Sequence, residues 1–301
     1  MKAVQFSEYG GPEVLHLVEI DPPHADPGHV RITVRAVGVN PSDWKRRAGY
    51  YHDFEPVTFP SGVGVEASGV VDEVGEGVSQ ISVGDSVFGF GENTVAQCAI
   101  LTHWTRKPDN LSFEIAGGLP VITETALRSL DEIGLKPGET LLVSGAAGGI
   151  GSAVLQFARQ RGITVIGTAS AQNHEYLREL GAIPTTYGSG LADRVRKLAP
   201  KGVDAALDIA GSRIIPELIE IVGAPSRVLS VADFSAPQYG AKFSAGPPKN
   251  PERTLAYVAQ HCSEGLFHLR IDRIFPLEQT AEAQEVSAKG HVAGKLIISI
   301  T

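Results

Sequence analysis

The stretch Thr140–Arg161, TLLVSGAAGGIGSAVLQFARQR, carries the densest chemical signal in the chain. Gly145, Gly148 and Gly151 recur there at intervals of three. Backbone stripped of side chains can approach a pyrophosphate closely, and the N–H groups that open a helix face its negative charge. Ala147, Gly148, Gly149 and Ile150 are the residues expected to line such a cofactor. The spacing is GxxGxxG rather than GxGxxG, so the glycines taken alone also fit an ordinary strand-to-helix turn. No GK[ST] follows them, which excludes a P-loop, and no GxSxG elbow is present to support a serine hydrolase.

The elements around this turn must hold it in place. Thr140–Ser144 reads as a buried parallel strand. Ala153, Val154, Phe157 and Ala158 repeat at helical spacing. Beyond them strands and helices alternate. Strands are expected at Ile163–Thr168, Thr185–Tyr187, Val203–Ile209 and Arg227–Val231. Helices are expected at Glu124–Ile133, Gln172–Leu180, Leu191–Leu198 and Arg213–Val222. Such alternation calls for a parallel sheet with helices on both faces. Asp233–Asn250, rich in Pro, Gly and Ser, reads as a long loop over a site. Pro251–Cys262 and Leu277–Ala288 read as helices.

Residues 1 to about 118 are β-rich instead. Val4–Phe6, Leu15–Ile20, Val30–Asn40 and Gly69–Val74 form apolar or alternating runs between Gly, Pro and Asp turns. Val83–Gly89 reads as a turn feeding a strand, and Pro41–Gly49 as a short polar, helical connection. Lys295–Ile300 is a strand without a neighbour in sequence, so its home is the first β-rich region. The expected domains are therefore 1–118 with 265–301, and 119–264.

With 301 residues and 43% hydrophobic content, the chain can bury two cores. A net charge of −8 argues against nucleic acid as a partner. No stretch of about twenty apolar residues exists, so no membrane partner is expected. Met1–Leu15 has no apolar run of the signal-peptide type. The two cysteines, Cys98 and Cys262, form no disulfide framework and suit a reducing, cytoplasmic setting.

The order of motifs resembles the quinone oxidoreductase, or zeta-crystallin-like, branch of the medium-chain dehydrogenase/reductase superfamily. The resemblance rests on VRAVGVNPSDWKRRAGYY (Val34–Tyr51), GVEASGVVDEVGEGV (Gly64–Val78), GDSVFGF (Gly84–Phe90), GETLLVSGAAGGIGSAVLQFAR (Gly138–Arg159), GVDAALDIAG (Gly202–Gly211) and GHVAGKLIIS (Gly290–Ser299). It covers nearly the whole chain. It implies an α/β fold of a GroES-like β-barrel domain plus a Rossmann doubly wound parallel-sheet domain, with a cofactor cleft between them. It also implies a homodimer, with the edge supplied by Ile214–Val222 and Arg227–Val231.

Zinc-dependent relatives carry a cysteine where this chain has Asn40 and a histidine where it has Val65. Valine cannot ligate a metal and asparagine is a poor zinc ligand, so no metal is expected. Without a Lewis acid, an acceptor that spreads the incoming charge itself is favoured, namely a quinone or an α,β-unsaturated carbonyl. The alternatives are reduction of an enoyl thioester or 2-haloacrylate-type acid, with Lys45, Arg46 and Arg47 meeting the anion, and a non-catalytic NADPH-binding protein.

By the same resemblance, Asn40 faces nicotinamide and substrate, its NH₂ donating to a developing oxyanion; a turn-forming Asn before Pro41 is the plainer role. Tyr51 closes the NPxD…RxGxY motif and orients substrate or donates a proton, and Thr125 lies beside the carboxamide. Asp43 and Arg47 are expected to form a structural ion pair. The second Rossmann strand ends at Thr168, Ala169 and Ser170 without the acid that would repel a 2′-phosphate, which points to NADPH. Ser170, Asn173 and Tyr187 are expected around that phosphate, with Arg178 in reserve. Ala210 and Val231 end the next strands, and Lys295 is expected to neutralise pyrophosphate charge.

Overall fold

The computed structural model describes residues 1–300. The chain opens with antiparallel strands: β1 (Lys2–Phe6), β2 (His16–Glu19) and β3 (Val30–Val39). A short helix, α1 (Pro41–Arg47), leads to β4 (Ser61–Gly62), β5 (Glu66–Val74), β6 (Ser86–Gly91) and β7 (Cys98–Arg106). Two helices follow, α2 (Phe113–Gly117) and α3 (Leu119–Ile133). Then come β8 (Thr140–Ser144), α4 (Gly149–Gln160), β9 (Thr164–Thr168), α5 (His174–Glu179), β10 (Ile183–Thr185) and α6 (Leu191–Leu198). This series continues with β11 (Ala205–Asp208), α7 (Ile215–Val222), β12 (Val228–Ser230) and β13 (Lys242–Phe243). The chain closes with α8 (Pro251–Ser263), β14 (Ile271–Pro276), α9 (Thr280–Lys289) and β15 (Lys295–Ser299).

The chain divides into two units, Met1–Val121 with the chain from Asn250 onward, and Ile122–Lys249. In the first unit a sheet runs in the order β14-β15-β3-β5-β6-β7, and β3 also pairs with β7. That second pairing curls the sheet on itself, as a barrel requires. The alternation in β3 buries Val30, Ile32 and Val34 against Val71, Val87, Leu101 and Phe275. β15 lies between β14 and β3, so the last strand completes the first unit. β7 and β14 are strands beyond those expected. β14 is exposed along most of its length, and its Asp272 and Arg273 hide the period. Helix α8 packs on β7 and belongs to the first unit, whereas the expected boundary placed it in the second.

The second unit holds a parallel sheet in the order β10-β9-β8-β11-β12-β13. Counted within this unit, that is strand order 3-2-1-4-5-6, the doubly wound arrangement. Its core joins Leu142, Ile166, Ala206 and Val228 to Leu191, Val195, Ile215 and Leu218 from the covering helices. α3 starts five residues before its expected start, with Pro120 at its second position, where a missing N–H does no harm. The third strand is Ile183–Thr185 rather than Thr185–Tyr187, and Pro184 is tolerated because the strand is an edge. The expected loop Asp233–Asn250 contains β13, which covers β12. Arg227–Val231 is therefore not the sheet edge expected of it. No helix among the described residues is long and apolar enough to cross a membrane.

Candidate active site

In the second unit the glycine turn lies at the C-terminal end of β8, the central strand on which the order reverses, where open α/β sheets bind ligands. Gly145 has φ +73°, and a side chain there would press on Ala210. A Cβ on Gly151 would stand 2.4 Å from the Gly145 carbonyl oxygen and 2.6 Å from that of Ala146. Only glycine lets α4 lie this close to the turn that precedes it. Gly148 is the N-cap of α4 and brings no capping side chain, so Gly149, Ile150 and their neighbours present bare backbone to an anion.

The loops beside this turn are tied by a buried network. Ser144, Asp208 and Ser230 stand side by side at the ends of β8, β11 and β12. Ser144 donates to Asp208 Oδ1 at 2.6 Å and Ser230 to Oδ2 at 2.8 Å. The Gly211 N–H also donates to Oδ1, at 3.1 Å. Ser144 Oγ accepts from the N–H of Ile209 and Ala210, and Ser230 Oγ from those of Ala232 and Asp233. One carboxylate and two hydroxyls thus hold the loops carrying Ala210 and Val231. Along the chain these residues are three separate strand ends; the in-register Ser, Asp and Ser become a set only once the strands are paired.

Thr168 is buried at the end of β9. Beyond it, the Asn173 amide donates to Ser170 Oγ at 3.2 Å, so these two expected residues meet. Tyr187 is exposed on the turn after β10, and the Arg194 guanidinium holds that turn through the carbonyls of Thr186, Gly188 and Ser189. Arg178 is paired with Glu175 at 2.9 Å. Thr125 is buried on α3, and its carbonyl accepts from Ser129 Oγ. The segment after β13 is strapped to the polar face of the same helix. Arg128 pairs with Glu124 and donates to Ser244, while Lys249 pairs with Glu132 at 3.1 Å.

In the first unit Asn40 is the N-cap of α1, and its N–H donates to Asp43 Oδ2 at 2.7 Å. The Asn40 side chain turns away from its helix. Its Oδ1 accepts from Lys295 Nζ at 2.5 Å, and its Nδ2 donates to Glu66 Oε1 at 2.8 Å. Its other N–H has only Gly38 O, at 3.4 Å. Lys295 Nζ also reaches Glu66 Oε1 at 2.8 Å. The amide expected to face a substrate is thus part of a buried charged cluster, and the Lys295 ammonium expected at a pyrophosphate is engaged there. Glu66 lies in the GVEASGVVDEVGEGV motif, and no spacing rule links it to Asn40 or Lys295.

Burial pushes the Asp43 carboxyl up to about 7, with the Asn40 hydrogen bond and Lys295 opposing the rise. Tyr51 is half-buried; burial, then Asp43 and Glu55, push its phenol up to about 12, so it remains a donor at neutral pH. The expected ion pair of Asp43 with Arg47 does not form. Arg47 is buried and donates to Gln284 at 2.8 Å and to Gly10 O at 2.9 Å, because α1 packs on α9.

The chain matches the family model of the alcohol dehydrogenase GroES-like domain over residues 26–123 and that of zinc-binding dehydrogenases over residues 180–298. It is 40% identical to the synaptic vesicle membrane protein VAT-1 homolog of Rattus norvegicus, covering 92% of this chain and 78% of that protein. The matched stretch spans about half the length of the mouse and human homologs. The solved quinone oxidoreductase of Coxiella burnetii is 30% identical with a TM-score of 0.86, covering 100% of this chain and 99% of that one. A mycobacterial protein solved in complex with NADPH is 25% identical with a TM-score of 0.86, covering 99% and 100%. Together with the two units these matches define the class, an oxidoreductase fold of a GroES-like domain and a Rossmann-like domain. The chain belongs to the quinone oxidoreductase branch of the medium-chain dehydrogenase/reductase superfamily.

One matching model carries zinc in its description, and the residues here do not suit that ion. Asn40 and Glu66 offer oxygens, but Lys295 already binds both, and Val65 offers nothing. Among the described residues no group of three or more His, Cys, Asp or Glu is placed to hold a metal.

Proposed function

We propose that the protein is an NADPH-dependent, metal-independent oxidoreductase that transfers hydride to a quinone or an α,β-unsaturated carbonyl. The observation that carries this reading is the Asn40–Glu66–Lys295 cluster, in which an ammonium takes the place of a metal among the available oxygens. A site without a Lewis acid suits an acceptor whose own π-system spreads the arriving charge.

The glycine turn suits a dinucleotide: Gly151 lets α4 lie against the turn, a Cβ on Gly148 would meet nothing nearer than Gly145 O at 3.6 Å, and the α4 N-terminus is uncapped. Ala147 to Ile150 would hold the pyrophosphate. Ser170, Asn173 and Tyr187 would hold the 2′-phosphate, because no acid ends β9 to repel it. Ala210, Val231 and Thr125 would border the rest of the nucleotide. Bound there, the nucleotide supplies a hydride. The acceptor oxygen then carries charge and needs hydrogen-bond donors and a proton. The Tyr51 phenol, held protonated, is one donor; the Asn40 N–H left with a long contact to Gly38 is the other. An anionic thioester is less well served, since the Arg47 guanidinium is buried in structural bonds. The NADPH-bearing and quinone-reducing relatives support the same reading, and a homodimer in the cytoplasm accompanies it.

An assay of NADPH oxidation with 9,10-phenanthrenequinone, an aromatic enal and crotonyl-CoA tests the proposal. Turnover of the quinone or enal that survives a strong chelator is expected. Turnover of the thioester alone, or loss of activity on chelation, would overturn it.

A further inference from the structure

Asn40 is held by opposite charges at its two ends. The Lys295 ammonium lies 2.5 Å from Oδ1, and the Glu66 carboxylate accepts from Nδ2 at 2.8 Å. Turning the amide over would set its NH₂ against an ammonium and its oxygen against a carboxylate, so the charges decide which end points where. Both charged side chains are almost wholly buried, at 4% and 0% exposure. A buried ion pair seldom adds stability over an apolar pair of similar size, so stability is a weak reason to have one here.

The backbone is shaped around this pair. A Cβ on Gly38 would stand 2.3 Å from Glu66 Oε1 and 2.8 Å from Lys295 Cε. The register of β15 on β3 sets Leu296 opposite Val39, which brings Lys295 opposite Asn40. Gly294, at φ +98°, delivers the chain to that position; a Cβ there would meet Arg270 O at 2.2 Å. Glu66 is anchored in turn, because its Oε2 accepts from the Val121 N–H at 2.8 Å, in the first turn of α3.

We infer that Lys295 is a positioning residue of the active site rather than a ligand of the cofactor phosphates. With Glu66 as counter-ion, it fixes the Asn40 amide so that one N–H, whose contact to Gly38 O is long at 3.4 Å, is presented for the acceptor oxygen. It occupies with a fixed ammonium the oxygens that a metal would otherwise claim. The inference rests on the proposed function for its catalytic meaning, but the orientation of Asn40 can be read without turnover.

The test compares Lys295→Met, Glu66→Gln and the double variant in full-length protein. Thermal unfolding, NADPH affinity by fluorescence, quinone turnover and the side-chain NH₂ resonances of Asn40 are measured. Lys295→Met is expected to lower the melting temperature, because Glu66 is left buried without its partner. The double variant is expected to regain that stability yet stay down ~10–100-fold in kcat, as loss of one oriented donor predicts. NADPH affinity is expected to stay within about twofold, and the Asn40 NH₂ signals to shift or broaden. Full recovery of kcat in the double variant would make Lys295 a counter-ion only and overturn the inference. So would NADPH binding weakened ~10-fold with kcat unchanged, or Asn40 signals that do not move. If the wild type binds NADPH but reduces none of the acceptors, the proposed function fails. The Asn40 signals in Lys295→Met then decide the inference by themselves.

Discussion

Asp43 shows how one buried carboxyl leaves its mark on the whole chain. Its pKa is raised from 3.8 to about 7, so the folded protein binds a proton that the unfolded chain releases between those values. Stability from this group is therefore full below about pH 4 and falls as pH rises through 7. The span corresponds to a change on the order of 4 kcal/mol. Asp43→Asn keeps an acceptor for the Asn40 N–H and removes the titration. Denaturant unfolding from pH 4 to 8 should lose that downward slope in the variant; an unchanged slope would mean that Asp43 ionises normally. At this scale the sequence is half legible. Asn40 and Asp43 share a recognisable local motif, and both contribute to the helix cap. Their partners do not: Glu66 is 26 residues from Asn40 and Lys295 is 255, and only strand pairing brings them together. The Asp43–Arg47 pairing failed for a related reason. They are neighbours on one helix, but α1 packs Arg47 onto Gln284 instead.

Among the elements, the strand–turn–helix from β8 to α4 carries the strongest consequence. Gly151 and Gly148 look alike in sequence but not in space. A Cβ on Gly151 runs into two backbone carbonyl oxygens, whereas on Gly148 its nearest neighbour is Gly145 O at 3.6 Å. Gly151→Ala should destabilise the protein by about 1–3 kcal/mol, as overpacking against backbone does. It should also weaken NADPH binding. Gly148→Ala should leave the melting temperature within a degree or two and affect only the nucleotide titration. Equal melting temperatures for the two variants would contradict this reading of the turn. The elements legible in the sequence are those with strong periodicity, such as α4 and the alternating β3. Those that escaped lack it: β14 is mostly exposed, and β13 is two residues inside a segment rich in Pro, Gly and Ser. Their identity depends on the strands that receive them.

Across the whole molecule, the chain leaves its first unit at Val121 and returns to it at Asn250. The homeless strand at the C-terminus foretold that return, since β15 has no partner nearby in sequence and pairs with β14 and β3. The point of return was harder to place. Helix α8 has the same apolar period whichever unit it covers, and only its packing on β7 assigns it. The sheet order of the second unit and the uncapped α4 N-terminus make nucleotide binding the claim on which the remaining chemistry depends. Calorimetric titration of the purified, chelator-treated protein with NADPH and NADH addresses that claim most directly. Saturable binding of NADPH, tighter than that of NADH, in the absence of any metal is the expected result. Failure of both reduced nucleotides to bind would contradict it.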